Sequence, residues 1–286
     1  MARPAQPHRT DQFVTVADTE IHYSAWGDPD DPVVVCVHGL SRNGRDFDPL
    51  ARELADEYRV ICPDMPGRGL SEWADEPDTE YAKAGLRETV LGFCDALDLE
   101  EFRYVGTSMG GLLGIPLAAG PLRDRITHLV CNDIGPVLTH SEVGVERIVD
   151  YLTNPPVCDT VSELEAWYRE TYATANPKTD AQWRRFTLTS MRRRDDGRVT
   201  RDYDERIVAP LLRNDESDAE AWANWESLDC PVFVVWGRES DILHEETVEE
   251  MLERRPGMEL LELDCGHPPG LNDETQIAPI RDFLAA

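Results

Sequence analysis

Apolar positions in the first half of the chain alternate between two rhythms. Val33-Val34-Val35-Cys36-Val37 is a continuous apolar run, the pattern of a strand buried on both faces of a parallel sheet. Residues 46–57 then place Phe47, Leu50, Leu54 and Ala55 at helical spacing among Asp and Arg, which predicts an amphipathic helix. The pair recurs: strand-like 59–62 precedes helical 79–97, strand-like 102–105 precedes a helix opening at Leu112, and strand-like 126–131 closes on Asn132-Asp133. Ahead of these, residues 13–16 and 21–26 are β-rich and read as a hairpin around residues 17–20. Such alternation predicts right-handed crossovers and an α/β fold, a mainly parallel sheet with helices on both faces. Chemistry in such folds belongs to the loops at the carboxyl ends of the strands.

The rhythm changes at about residue 137. From there to 228 strand-like runs vanish, and helical patterns rich in Trp and Tyr cover 145–152, 161–172, 181–191 and 203–212, with a short fifth at 219–225. Strand-like runs resume at 231–237 and 258–263, and a last helix reaches Phe283 and Leu284. The expected organisation is a core of residues 1–136 and 229–286 carrying a helical insertion, 137–228.

Composition narrows the functions. With 56 acidic against 28 basic residues the net charge is −28, which disfavours nucleic acid or an anionic membrane surface as partner. No apolar run approaches the ~20 residues a bilayer span needs. Residues 1–11 are polar and do not read as a signal peptide. The seven cysteines have neither framework spacing nor a C-x-x-C pair, so a reducing, cytoplasmic setting is expected and no metal site. Lysine occurs only at 83 and 178. A GC-rich genome explains scarce lysine but not a twofold excess of acids, and the combination resembles proteins of salt-loving organisms.

Candidate chemistry centres on Gly106-Thr107-Ser108-Met109-Gly110. A G-x-S-x-G sequence between a strand and a helix is a nucleophile elbow, in which glycines relieve a turn too tight for side chains. A serine hydroxyl needs a base, and the base needs a partner to hold its tautomer. His267, in a loop after the last predicted strand, is the expected base. His22 and His128 lie within strands, His8 lies in the terminus, and His140 and His244 have no favourable loop context. Two acids follow strands: Asp241 is preferred as the partner, and Asp133 is the alternative, otherwise assigned to the junction with the insertion. Met109 N–H and Leu40 N–H are the expected oxyanion donors, with His38 holding the Leu40 loop.

Together, His38-Gly39, the loop from Asp64 to Ser71, the elbow, the loop from Gly237 to Asp241 and Gly266-His267 resemble the α/β-hydrolase superfamily over nearly the whole chain. The resemblance implies an eight-stranded core sheet with a cap inserted after the sixth strand, over the active site. Superfamily members with an aspartate nucleophile, the haloalkane dehalogenases and epoxide hydrolases, are set aside by Ser108. The expected activity is hydrolysis of carboxylic esters or lactones of small to medium size through an acyl-enzyme, with no metal or organic cofactor. Diketone carbon–carbon cleavage and perhydrolysis are the alternatives on the same triad, and a ligand-binding module lies outside it. Arg192-Arg193-Arg194 is read as a solvated helix face before an anion site. Trp167, Tyr168, Tyr172, Trp183 and Trp222 are candidates for the pocket wall or for packing.

Overall fold

The computed structural model describes residues 8–172, 178–211, 213 and 216–286. The chain opens with the hairpin β1 (Thr10–Val16) and β2 (Thr19–Trp26). It continues through β3 (Val33–Val37), α1 (Asp48–Leu54), β4 (Arg59–Pro63), α2 (Pro77–Glu80), α3 (Lys83–Ala96), β5 (Phe102–Thr107), α4 (Met109–Ala119) and β6 (Ile126–Asn132). Next come α5 (Glu142–Thr153), α6 (Val161–Thr171), α7 (Asp180–Leu188), β7 (Met191–Arg193), β8 (Val199–Arg201), α8 (Val208–Leu211) and α9 (Asp218–Glu226). The chain closes with β9 (Val232–Gly237), α10 (Glu245–Arg254), β10 (Glu259–Leu263) and α11 (Glu274–Leu284).

Eight strands form one sheet in the order β1-β2-β4-β3-β5-β6-β9-β10. Only the β1–β2 and β2–β4 pairings are antiparallel. From β4 to β10 the ladder is parallel, so the carboxyl ends of β3, β5, β6, β9 and β10 share one edge. The apolar runs are there because both faces are covered. Leu86, Val90 and Phe93 of α3, Leu113 of α4 and Trp225 of α9 pack one face. Leu50 and Leu54 of α1 with Ile277, Ile280 and Phe283 of α11 pack the other. Burying each such side chain contributes roughly 1.5–3 kcal/mol, which outweighs the modest propensity preferences of either element.

The segment between β6 and β9 departs from the purely helical expectation. Residues 191–193 and 199–201 pair as an antiparallel hairpin, so Arg192 and Arg193 lie on a strand and not on a helix face. The pattern at 203–212 resolves into a turn at Glu205–Ile207 and the single-turn α8. Trp222 and Trp225 of α9 pack into the main core, not into a pocket wall, and Trp225 Nε1 donates to the Met251 carbonyl at 3.3 Å. Among the described residues no cysteine is in a disulfide. Among the described residues no helix is long and apolar enough to cross a membrane.

Candidate active site

Ser108 sits between β5 and α4 with φ 51° and ψ −114°, a left-handed conformation that ordinary side chains adopt only where the surroundings enforce it. The neighbouring glycines make the turn possible. A Cβ on Gly110 would stand 2.0 Å from the Val37 carbonyl oxygen, and one on Gly106 would stand 2.4 Å from the Gly111 nitrogen. The elbow is therefore pressed against β3 and against its own helix. Its serine is pushed out above the sheet edge.

His267 reaches the elbow from the loop after β10. Its Nε2 lies 2.9 Å from Ser108 Oγ and its Nδ1 lies 2.8 Å from Asp133 Oδ2. A carboxylate only accepts, so Nδ1 carries the proton and Nε2 is left to accept from the serine hydroxyl. The loop is fastened at its far side by Asn132, whose Nδ2 donates to the Pro269 carbonyl at 3.0 Å.

The preference for Asp241 as the histidine's partner does not hold. Asp133 leaves β6 through a left-handed turn, φ 57°, which an aspartate tolerates better than most residues. It is fully buried, and its Oδ1 accepts the Gly237 N–H at 2.8 Å, so its other oxygen is aimed at His267. Asp241 is instead clasped by Arg147 of α5, with Nε and Nη2 at 2.6 and 2.8 Å. Burial would raise the Asp241 carboxyl, but the Arg147 hydrogen bonds and charge hold it below its ordinary value.

Met109 and Leu40, whose N–H groups are the expected oxyanion donors, stand at the start of α4 and in the loop after β3. Met109 is the first residue of α4, and a first-turn N–H has no intrahelical acceptor. The Leu40 N–H belongs to the same peptide unit as the Gly39 carbonyl. That carbonyl is held by His38 Nδ1 at 2.7 Å, while His38 Nε2 accepts the Met65 N–H at 2.9 Å. Because the two groups of a trans peptide point opposite ways, His38 aims the Leu40 N–H by holding its carbonyl partner. Complete burial pushes the His38 imidazole down to about 4, so it works as a neutral ring.

Arg68 touches both Leu40 and Met109, and sequence reasoning missed it. Its side chain is fully buried. Nε donates to the Leu40 carbonyl at 2.9 Å, Nη1 to the Pro66 carbonyl at 2.6 Å, and Nη2 lies 3.8 Å from the Met109 sulfur. The signal was present as Pro66-Gly67-Arg68-Gly69, a loop whose glycines take positive φ.

Ser108 and His267 open into a cavity of about 110 Å³. Its core side is Gly39, Leu40, Arg42, Phe47 and the loop from His267 to Asn272. Its other side is Ile148 and Tyr151 of α5, Tyr172, Lys178, and Gln182, Arg185 and Phe186 of α7. Of the five aromatics proposed for its wall only Tyr172 lines it; Tyr168 and Trp183 pack with it in an aromatic cluster flanked by Trp167. Arg192 lies over the Trp73 ring at 5.4 Å, outside the lining. Among the described residues no cluster of His, Cys, Asp or Glu has metal-holding geometry.

A nucleophile elbow at the edge of this sheet, with a histidine and a buried acid behind it, defines a hydrolase fold, and residues 32–273 match the alpha/beta hydrolase fold family. The chain belongs to that family and is a hydrolase. It is 37% identical over 272 residues to a 3-hydroxybutyrate-oligomer hydrolase of Cupriavidus necator, covering 92% of each chain. It is 26% identical over 225 residues to esterase YbfF of Escherichia coli, covering 78% of this chain and 80% of the esterase. A solved alpha/beta hydrolase from Novosphingobium aromaticivorans superposes with a TM-score of 0.88 at 34% identity, covering 97% of this chain and 98% of that one.

Proposed function

We propose that the protein is a serine ester hydrolase whose triad is Ser108, His267 and Asp133, acting on short oligoesters of 3-hydroxy acids. The observation that carries the reading is the unbroken relay from Ser108 Oγ through His267 to the buried Asp133, with 2.9 and 2.8 Å contacts. The similarity to an oligomer hydrolase over nearly its whole length supports the choice of ester.

In this reading Ser108 Oγ bonds to the ester carbonyl carbon as His267 Nε2 takes its proton. The new oxyanion accepts the Met109 and Leu40 N–H groups; one such donor is worth on the order of 10²–10³ in rate. His267 then passes the proton to the leaving alkoxide as the ester C–O bond breaks. A water gives its proton to His267, attacks the acyl carbon, and the acid leaves as the proton returns to Ser108. One water is consumed per ester bond. Asp133 keeps the Nδ1–H tautomer and stabilises the imidazolium.

The test is hydrolysis of 3-hydroxybutyrate dimer and trimer by wild type and Ser108→Ala, with a fluorophosphonate probe alongside. The expected loss is on the order of 10⁶ in kcat, as for other triad nucleophiles, and the probe labels only the wild type. A folded Ser108→Ala protein that keeps a few per cent of the activity overturns the triad.

A further inference from the structure

The chain carries a net charge of −28 and only two lysines, yet Arg42, Lys178 and Arg185 line the cavity beside Ser108, and among the described lining residues Asp46 is the one acid. Cations concentrated in one cavity of so acidic a chain call for a chemical reason.

Arg42 is nine-tenths buried, its Nε and Nη2 each 2.6–2.7 Å from an Asp46 oxygen. Its Nη1 is buried too and has no hydrogen-bond partner among the described residues. A guanidinium nitrogen in that condition costs free energy unless something else accepts from it. Its position is fixed relative to the serine: Arg42 Cγ and Ser108 Cβ lie 3.8 and 3.7 Å from the point a Gly39 Cβ would occupy. Lys178 Nζ and the Arg42 guanidinium both stand over the Phe186 ring, at 5.4 and 3.7 Å from its centroid. Burial and the Arg42 charge push the Lys178 ammonium down to about 8, as a second cation nearby does. Arg185 is already engaged, 3.3 Å from Asp48 and donating to the Arg45 carbonyl at 3.2 Å.

We propose that Arg42 and Lys178 form an anion subsite that takes the free carboxylate of the leaving hydroxy acid, so that oligoesters are shortened from their carboxyl end. This rests on the oligoester reading given above. The chemistry of such a chain supplies the register. Only its terminal ester has a free carboxylate on the alcohol portion, four bonds from the scissile carbonyl carbon and about 5 Å away when extended. That reach suits an arginine whose stem begins beside the nucleophile. Internal esters offer no charge at that distance. Their neutral units suit the apolar lining of Phe47, Ile148 and Leu271.

The test compares 3-hydroxybutyrate dimer as its free acid with the same dimer capped as a primary amide, using p-nitrophenyl butyrate as the reference ester. Wild type is expected to prefer the acid in kcat/KM by about ten- to hundredfold, the range of a charge-assisted contact. Lys178→Met is expected to cut that preference about tenfold, mainly through KM, and Lys178→Arg to keep most of it. Arg42→Gln gives a second reading of the same ratio. An amide dimer cleaved as fast as the acid, or a preference that survives both charge-removing variants, overturns the subsite alone. Turnover of p-nitrophenyl butyrate with neither dimer cleaved overturns the oligoester reading and the subsite with it.

Discussion

Asp133 and Asp241 both follow strands that neighbour each other in the sheet, β6 and β9, and they have opposite fates. Asp133 is closed in, with the Gly237 N–H on one oxygen and His267 on the other. Asp241 keeps about a third of its side chain exposed and faces Arg147. The loop around Asp241 is a docking surface for α5. A Cβ on Gly144 would stand 2.1 Å from the Asp241 carbonyl oxygen, and Gly144, Arg147, Ile148 and Tyr151 repeat at the spacing of one helix face. One aspartate thus serves the histidine, and the other seats the helix whose Ile148 and Tyr151 line the cavity. A strand end supplies a carboxylate to the edge of the sheet; the turn and the opposing element decide what it meets.

The largest expected effect separates the two directly. Asp133→Asn is expected to lower kcat by about 10⁴, through the wrong histidine tautomer, while Asp241→Asn leaves kcat within a few-fold. Steady-state kinetics on folded variants checks this, and the reverse ranking gives the triad to Asp241. Next in size is the pH dependence of carboxylate preference. Lys178 is charged below about 8 and neutral above it, with Arg42, Asp46 and Cys265 as its electrostatic neighbours. The ratio of acid to amide dimer turnover is therefore expected to fall about tenfold between pH 7 and 10. A flat ratio removes Lys178 from recognition and leaves the Asp133 relay untouched.

Smaller is the coupling between Asp241 and Arg147. Their exposure, 31% and 35%, limits the pair to about 1 kcal/mol or less. A double-mutant cycle with Asp241→Asn and Arg147→Gln is expected to return that value, with each single variant lowering Tm by roughly 2–4 °C. Coupling that appears in kcat and not in Tm contradicts a docking role. Salt makes the smallest distinction. At ~1 M KCl the Debye length is about 3 Å, so the Asp241–Arg147 contact weakens while the buried Asp133–His267 contact is screened far less. Self-repulsion of a −28 chain is screened as well, and we expect Tm and activity to rise overall between dilute buffer and molar KCl. A flat or falling Tm across that titration at fixed pH excludes salt adaptation.

The main sheet was legible because strands covered on both faces must be apolar throughout, as in Val33–Val37 and Val232–Val235. Ser108 was legible because the tight turn demands glycines at fixed offsets, and His267 because it forms a Gly-His pair in the loop after the last strand-like run. The acid was not, because Asp133 and Asp241 occupy equivalent places in the strand pattern. What separates them is a backbone angle and an arginine supplied by α5, some 90 residues away from Asp241 in sequence. The β7–β8 hairpin escaped notice because Met191-Arg192-Arg193 and Val199-Thr200-Arg201 are three-residue strands with too little alternation to register. The cavity cations were hidden for another reason. Arg42 follows Leu40 in a polar loop and Lys178 precedes α7, so only the fold brings them to one aromatic ring.

His38 stays neutral well into the acid range. Its ring has one nitrogen accepting and one donating to backbone, and protonation would set a second N–H against the Met65 N–H. Its titration is pushed down to about 4 by burial, well below neutrality. The Gly39–Leu40 peptide therefore keeps its orientation while the solution is acidified from neutrality towards pH 5. Over that interval acid does not reach the site through the Gly39–Leu40 peptide, because the ring that holds its carbonyl keeps its single proton.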